Sequence, residues 1–219
     1  HRDWSQYDGP GAEYFHQEEV PFVEMARDPG EPTNRVMAGF NYGLLYGVIQ
    51  PIGAGWRFVF RDWGTTRIKN FATNLAYPIR LLNNLFQGKW GGAWDETKRF
   101  GVNTTVGVLG FWDRATDWQM VRSDEDTGQS LGKAGWTDPT FLHLPIIGPS
   151  STRDGVGWVG DTLMNPATYF FPASLIFHVN DGARTVRKAL RFTRTQQDPY
   201  LMSRYLSSIY RAYKVVDFD

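Results

Sequence analysis

The chain has 219 residues, enough for one domain with a real core or two small ones, and its 23 Lys+Arg equal its 23 Asp+Glu. That balance excludes a net field able to recruit nucleic acid or an anionic surface. Cysteine is absent, which excludes disulfides and thiolate metal sites.

Aromatic residues are abundant: 9 Trp, 10 Tyr and 15 Phe make 16% of the chain. Such rings suit a membrane interface, where an apolar body and a polar tip are both satisfied, and they also suit a Trp-rich core in water, which composition alone favours. The mean hydropathy of −0.40 fits either environment. The longest apolar stretch, from Tyr169 to Phe177, contains Pro172 and falls far short of the ~20 residues a spanning helix needs.

Residues 1–27 read as a largely irregular extension, and 28–219 as a single helical domain. Asp28-Pro29 and Pro32 mark a helix start, with Val36, Phe40, Leu44 and Val48 on one stripe and Pro51 closing the segment. A second helix spans Thr65 to Ala76, with Ile68, Phe71, Ala72 and Leu75 at helical spacing and Thr65 or Thr66 as its N-cap. After Tyr77-Pro78 a helix runs from Ile79 to Gln87 and ends at Gly88, and another spans about Gly92 to Asn103. Residues 104–140 read as loops and short helices. Ala183–Arg194, after Asp181-Gly182, and a last helix opened by Asp198-Pro199 and running to about Lys214 close the chain. No strand alternates cleanly over more than four or five residues, so the fold class is all-α.

Several motifs carry chemistry elsewhere. Gly155-Val-Gly157-Trp-Val-Gly160 is a literal GxGxxG, but no strand precedes it and Pro166 soon follows, so close backbone packing or a tight turn is the better reading. Ser150, Ser151, His143 and Asp154 invite a hydrolase reading. The serines follow Gly148-Pro149 instead of a nucleophile elbow, and they are read with Thr152 as caps of a helix starting near Arg153. His143 sits in an apolar run and reads as a satisfied core or interface residue. Asp124-Glu125-Asp126 lacks the rest of a calcium loop and reads as a solvated turn. The segment Arg184–Arg194 places five basic residues mostly opposite Ala183, Val186 and Leu190. That face fits lipid head groups and a solvated surface equally.

Ordered blocks carry a family resemblance. Asp28-Pro-Gly-Glu-Pro-Thr-Asn34-Arg35, continuing to Phe40-Asn41, is one; Gln50-Pro51 to Trp56-Arg57 is another. Asn70-Phe71-Ala-Thr-Asn74-Leu75, Asn83-Asn84-Leu85-Phe-Gln87-Gly88 and Arg99-Phe100-Gly-Val-Asn103-Thr104-Thr105 follow. Asp126-Thr-Gly128-Gln129-Ser-Leu131-Gly132, then Phe141-Leu-His-Leu-Pro-Ile-Ile-Gly-Pro-Ser-Ser-Thr-Arg-Asp-Gly155, and finally Asp198-Pro199-Tyr200 with Arg204, Tyr205 and Arg211 complete the set. Together they resemble the MlaA/VacJ family of outer-membrane lipoproteins, which remove misplaced phospholipid from the outer leaflet of Gram-negative bacteria.

The resemblance implies an all-α ring or wedge of amphipathic helices embedded in one membrane leaflet around a channel. It implies no enzyme and no cofactor or metal. The partners it implies are phospholipid, a soluble periplasmic (MlaC-like) lipid carrier and a trimeric porin, with no nucleic acid. The location would be the periplasmic side of the outer membrane, with the anchoring cysteine outside this sequence. Carried onto these residues, it marks Phe40, Asn41, Leu131, Trp136, Phe141, Leu144, Ile146 and Ile147 as channel or acyl-chain contacts. Gly132 and Gly135 would be a gate hinge, and Arg153, Arg187 and Lys188 head-group contacts. Trp136-Thr-Asp138-Pro139 departs from the family's glycine-rich hairpin, which bears on gate flexibility. A scaffold with the same fold and no transport is the alternative, and a lipid hydrolase a remote one.

Overall fold

Prolines open the long helices rather than close them. The computed structural model describes residues 25–137 and 139–216, so residues 1–24 of the expected extension lie outside the described residues, as does Asp138. Helix α1, Glu31–Leu44, carries Pro32 in its first turn. The expected stop at Pro51 does not occur. The backbone passes through a π-helical turn, Leu45–Ile49, straight into α2, Gln50–Leu75. Proline lacks an N–H and crowds the carbonyl four residues back. The wider turn, in which the Gln50 N–H reaches the Leu45 carbonyl, resets the ladder just ahead of it.

Helix α2 breaks at Arg61, whose φ of 51° and ψ of −176° lie outside the helical region. Thr65 and Thr66 are therefore not caps. Their hydroxyls donate back to the Asp62 carbonyl, at 3.2 and 2.7 Å. Helices α3, Tyr77–Phe86, and α4, Trp90–Thr105, follow as expected, with Gly88 at a φ of 72° ending α3. Beyond them lie the short α5, Arg114–Asp117, and α6, Thr127–Lys133.

The all-α expectation holds except over the apolar run. There β1, Phe141–Leu144, pairs antiparallel with β2, Gly148–Ser151, in a two-stranded hairpin. Each strand is four residues long, too short for alternation to declare itself. Next come α7, Thr152–Met164, a 3₁₀ turn at Pro166–Tyr169, α8, Phe171–Thr195, and α9, Pro199–Val216. Helix α8 begins twelve residues before the expected Ala183 because Pro172 occupies its first turn, where a missing N–H costs nothing. Gly182 does not stop it, since that glycine lies against the Ile49 side chain.

The packing closes on itself. Helix α1 lies on β1, β2 on α9, α9 on α6, α6 on α3, α3 on α2, and α2 along α8 and back to the π turn. Within this ring the usual order of side chains is inverted. Among the described residues the buried apolar set is small: five alanines with Val186, Leu190, Phe141 and Tyr200. Buried alongside are Asn34, Asn74, Asn83, Asn84, Glu96, Arg99, Asn103, Gln129 and Asn180. Phe58, Trp63, Phe86, Trp90, Trp94, Phe170 and Phe171 face outward. So broad an apolar exterior marks a surface made to meet another apolar phase. No helix of the described residues is long and apolar enough to cross a membrane.

Candidate functional site

A cavity of about 680 Å³ opens between residues 25–27, the hairpin, α6, α7 and α9. Apolar lining comes from Phe141, Ile147 and Trp158; charged lining comes from Asp126, Asp154, Asp161, Arg27, Arg153 and Arg211. The last turns of α9 aim Arg211 at two helix starts at once. Its guanidinium donates to Asp126 at 2.6 and 2.9 Å and to Asp154 at 2.7 Å. Both carboxylates also stabilise their helices. Asp126 caps α6 through the Gln129 N–H at 2.9 Å, and Asp154 accepts the Ser151 hydroxyl at 2.8 Å while Ser151 caps α7. Burial pushes both aspartates up, but Arg211 more than offsets it and holds them below the ordinary carboxylate range.

Asp161 is different. Its Oδ1 accepts the Thr127 N–H at 3.0 Å, the Thr127 hydroxyl at 2.7 Å and the Asn83 amide at 3.4 Å. Burial raises its pKa, and the charge of Asp126 adds to the rise. Small residues make the whole cluster possible. A Cβ on Gly157 would sit 2.4 Å from the Gly128 nitrogen, and one on Gly160 2.9 Å from the Thr127 side chain. The GxGxxG is therefore the seam along which α7 lies on α6, the close-packing reading made from sequence.

The other sequence expectations divide. Ile147 and Phe141 line the cavity, but Phe141 is 1% exposed and packs edge-on against Tyr200, so it belongs to the core. Leu144 is half-buried at the strand end; Ile146, Phe40 and Trp136 are exposed. Leu131 supplies the carbonyl that receives the Trp136 N–H at 3.1 Å. With the Gly135 N–H on Gly132, this is a Schellman close to α6, and Gly135 takes a φ of 112° within it. Gly132 lies inside the helix, where a Cβ would meet Val215 at 2.7 Å. Its glycine answers to packing, whereas that of Gly135 answers to backbone conformation.

Asn41 bonds the hairpin backbone. Arg153 is buried against Asp154, at 3.0 Å, and lines the cavity; Arg187 and Lys188 lie exposed on α8 and do not join it. Of the three serine and threonine candidates, Ser151 is the cap. His143 is buried as expected but not satisfied: among the described residues its Nδ1 has no partner, and burial lowers its pKa. The acidic triplet is no solvated turn. Glu125 pairs with Lys89 at 2.6 Å, Asp126 with Arg211, and Asp124 with Arg122 and Lys214. Sequence reasoning missed Asp126, Asp154, Asp161 and Arg211 as a group. The available signal was charge standing inside blocks otherwise made of small and apolar residues.

A family model described as MlaA lipoprotein matches residues 26–214. The chain belongs to the MlaA lipoprotein family. An Intermembrane phospholipid transport system lipoprotein MlaA from Haemophilus influenzae is 29% identical over 198 residues, covering 83% of this chain and 76% of that one. An uncharacterised protein of Rickettsia prowazekii is 29% identical over 144 residues, covering 65% of this chain and 57% of its own length. A solved structure, described as "Structural basis for maintenance of bacterial outer membrane lipid asymmetry", superposes with a TM-score of 0.71 at 26% identity. It covers 84% of this chain and 98% of the other. The MlaA family thus accounts for the ring of helices and for the ordered blocks that carried the resemblance.

Proposed function

We propose that this chain moves phospholipid out of the outer leaflet of an outer membrane and passes it to a soluble periplasmic carrier, without bond chemistry. The inverted distribution of side chains carries the reading. An apolar aromatic exterior suits acyl chains, and a cavity with both apolar and charged walls suits an amphiphile that must be held at both ends. Membership of a family with relatives named as phospholipid transport lipoproteins supports it. Ser151 of the hydrolase reading is engaged in capping α7 and bonding Asp154, which favours transport over that alternative.

Within this reading Ile146, Ile147, Phe40 and Trp136 meet acyl chains, and Gly135 is the position at which a mouth-closing segment would bend. Movement needs no energy source in the protein, because a lipid in the wrong leaflet can pass downhill to an acceptor. A porin neighbour would meet the same outer aromatic surface.

The test is restoration of lipid asymmetry in a Gram-negative strain lacking its own family member. Expression of the chain with an acylated anchor should lower phospholipid in the outer leaflet. Normal insertion with no change in the outer leaflet would favour a scaffold of the same fold.

A further inference from the structure

We propose that Asp161 recognises the ammonium of a zwitterionic phospholipid head group, so that the cavity favours ethanolamine-type lipids over anionic glycerol-type ones. The inference rests on the transport reading above and names the class of cargo.

Three donors fix Asp161 from one side, all of them on Oδ1: the Thr127 N–H, the Thr127 hydroxyl and the Asn83 amide. Among the described residues Oδ2 accepts nothing, and the residue lines the 680 Å³ cavity. The other carboxylates in that wall are matched, and Arg27, which also lines it, is itself engaged. Asp126 and Asp154 are held by Arg211, and Arg153 lies on Asp154. The ion pairs therefore leave one carboxylate without a cation, positioned rigidly and open on its second oxygen. A carboxylate held in this way is a counter-ion awaiting a partner: an ammonium both neutralises it and donates to the free oxygen. Trp158, three residues earlier on α7, lines the same cavity and brings an aromatic ring, a group that attracts cations, into it. An anionic glycerol head group brings the same phosphate but no cation, so it leaves the second oxygen of Asp161 unanswered.

The experiment offers the purified protein equimolar phosphatidylethanolamine and phosphatidylglycerol in mixed vesicles and measures the retained lipids by mass spectrometry. The expected result is an excess of phosphatidylethanolamine of about fivefold or more, falling to parity in Asp161→Asn through weaker retention of phosphatidylethanolamine, with that of phosphatidylglycerol unchanged. Thermal unfolding verifies that the variant folds. A second arm needs no substitution: N-acetylated phosphatidylethanolamine, identical except for its lost charge, should compete no better than phosphatidylglycerol. Equal retention of the acetylated and free-amine lipids would overturn the ammonium assignment while leaving transport intact. So would a ratio near one in the wild type, or a preference that survives Asp161→Asn. Soluble glycerophosphoethanolamine displacing the lipid at equal concentration would mean that the site reads a free metabolite, and that too overturns the proposal. Retention of no lipid of any kind sinks the proposal together with the transport reading on which it stands.

Discussion

Asn41 on α1 and Ile146 at the hairpin tip share a hydrogen bond that holds a strained turn. The Ile146 N–H donates to Asn41 Oδ1 at 2.7 Å, and the same amide donates from Nδ2 to the Leu144 carbonyl at 2.8 Å. Ile146 has a φ of 69°, a conformation costly for a β-branched residue, yet it is 81% exposed. Two turns earlier on the same helix, Asn34 does the equivalent for β1, accepting the His143 N–H at 2.9 Å and donating to the Phe141 carbonyl at 3.3 Å. Helix α1 thus grips one edge of the hairpin with two side-chain amides.

Two substitutions separate the grip from the strain. Ile146→Gly removes the Cβ that makes the turn costly and should raise stability by about 1 kcal/mol. Asn41→Ala strands two backbone groups at the tip and should lower it by about 1–3 kcal/mol. Urea unfolding followed by circular dichroism reads both. A glycine variant less stable than wild type would show that the turn is not strained.

The break in α2 makes a second prediction. Trp56, before Arg61, donates from Nε1 to Asn180 Oδ1 at 3.0 Å; beyond the break, the Thr65 carbonyl accepts from Asn180 Nδ2 at 2.9 Å. One buried amide on α8 therefore spans the two halves of α2. Asn180→Ala should cost about 1–3 kcal/mol through the loss of both bonds and the Trp56 N–H left without its acceptor, and Asn180→Asp should recover only the Trp56 bond. Hydrogen exchange should quicken in peptides covering residues 56–65 in both variants. Unchanged exchange there would mean that α2 holds its bend without α8.

Helix positions were legible where the chain announces them locally. Pro78, Gly88 and Asp198-Pro199 mark their boundaries through short-range chemistry, and the helices obey. Pro51 misled because proline at a helix start and proline at a helix stop look alike in sequence. Only the π turn before it decides the case. The hairpin escaped because His143, Pro145 and two isoleucines hide any alternation. The cavity escaped for a different reason. Arg211 meets Asp126 across 85 positions and Asp154 across 57, and no local pattern encodes such a meeting.

Glu96 is fully buried, with Arg80 Nε at 2.6 Å from one oxygen and the Ser123 N–H at 2.7 Å from the other. Removing a single partner leaves a largely desolvated charge. Glu96→Ala should therefore destabilise by about 3–5 kcal/mol, whereas Arg80→Met with Glu96→Met together should cost much less. Chemical unfolding of the single and double variants decides the matter. Equal losses would mean that packing volume, not the stranded arginine, sets the cost.

The aspartate cluster predicts the acid limb of stability. Asp126 and Asp154 are pushed up by burial but brought below their ordinary range by Arg211. An acid with a folded pKa below its unfolded value stabilises fully above that unfolded value, near pH 4, and loses the contribution as pH falls through the folded one. Asp161 has the opposite sign. Raised by burial and by Asp126, it favours the folded state when protonated, and its ionisation on the way to neutral pH costs stability. Wild type should therefore lose melting temperature steeply below about pH 4. In Arg211→Met the two aspartates lose the interaction that most offsets burial, keeping only the Gln129 contacts at Asp126 and the Arg153 and Ser151 contacts at Asp154. That variant should be much less stable than wild type at pH 7, and the gap should narrow towards pH 3. Asp161→Asn should show the reverse trend, gaining on wild type as pH rises from 4 to 7. Melting curves across that range check all three. Parallel curves for wild type and Arg211→Met would mean that Arg211 does not govern the ionisation of Asp126 and Asp154.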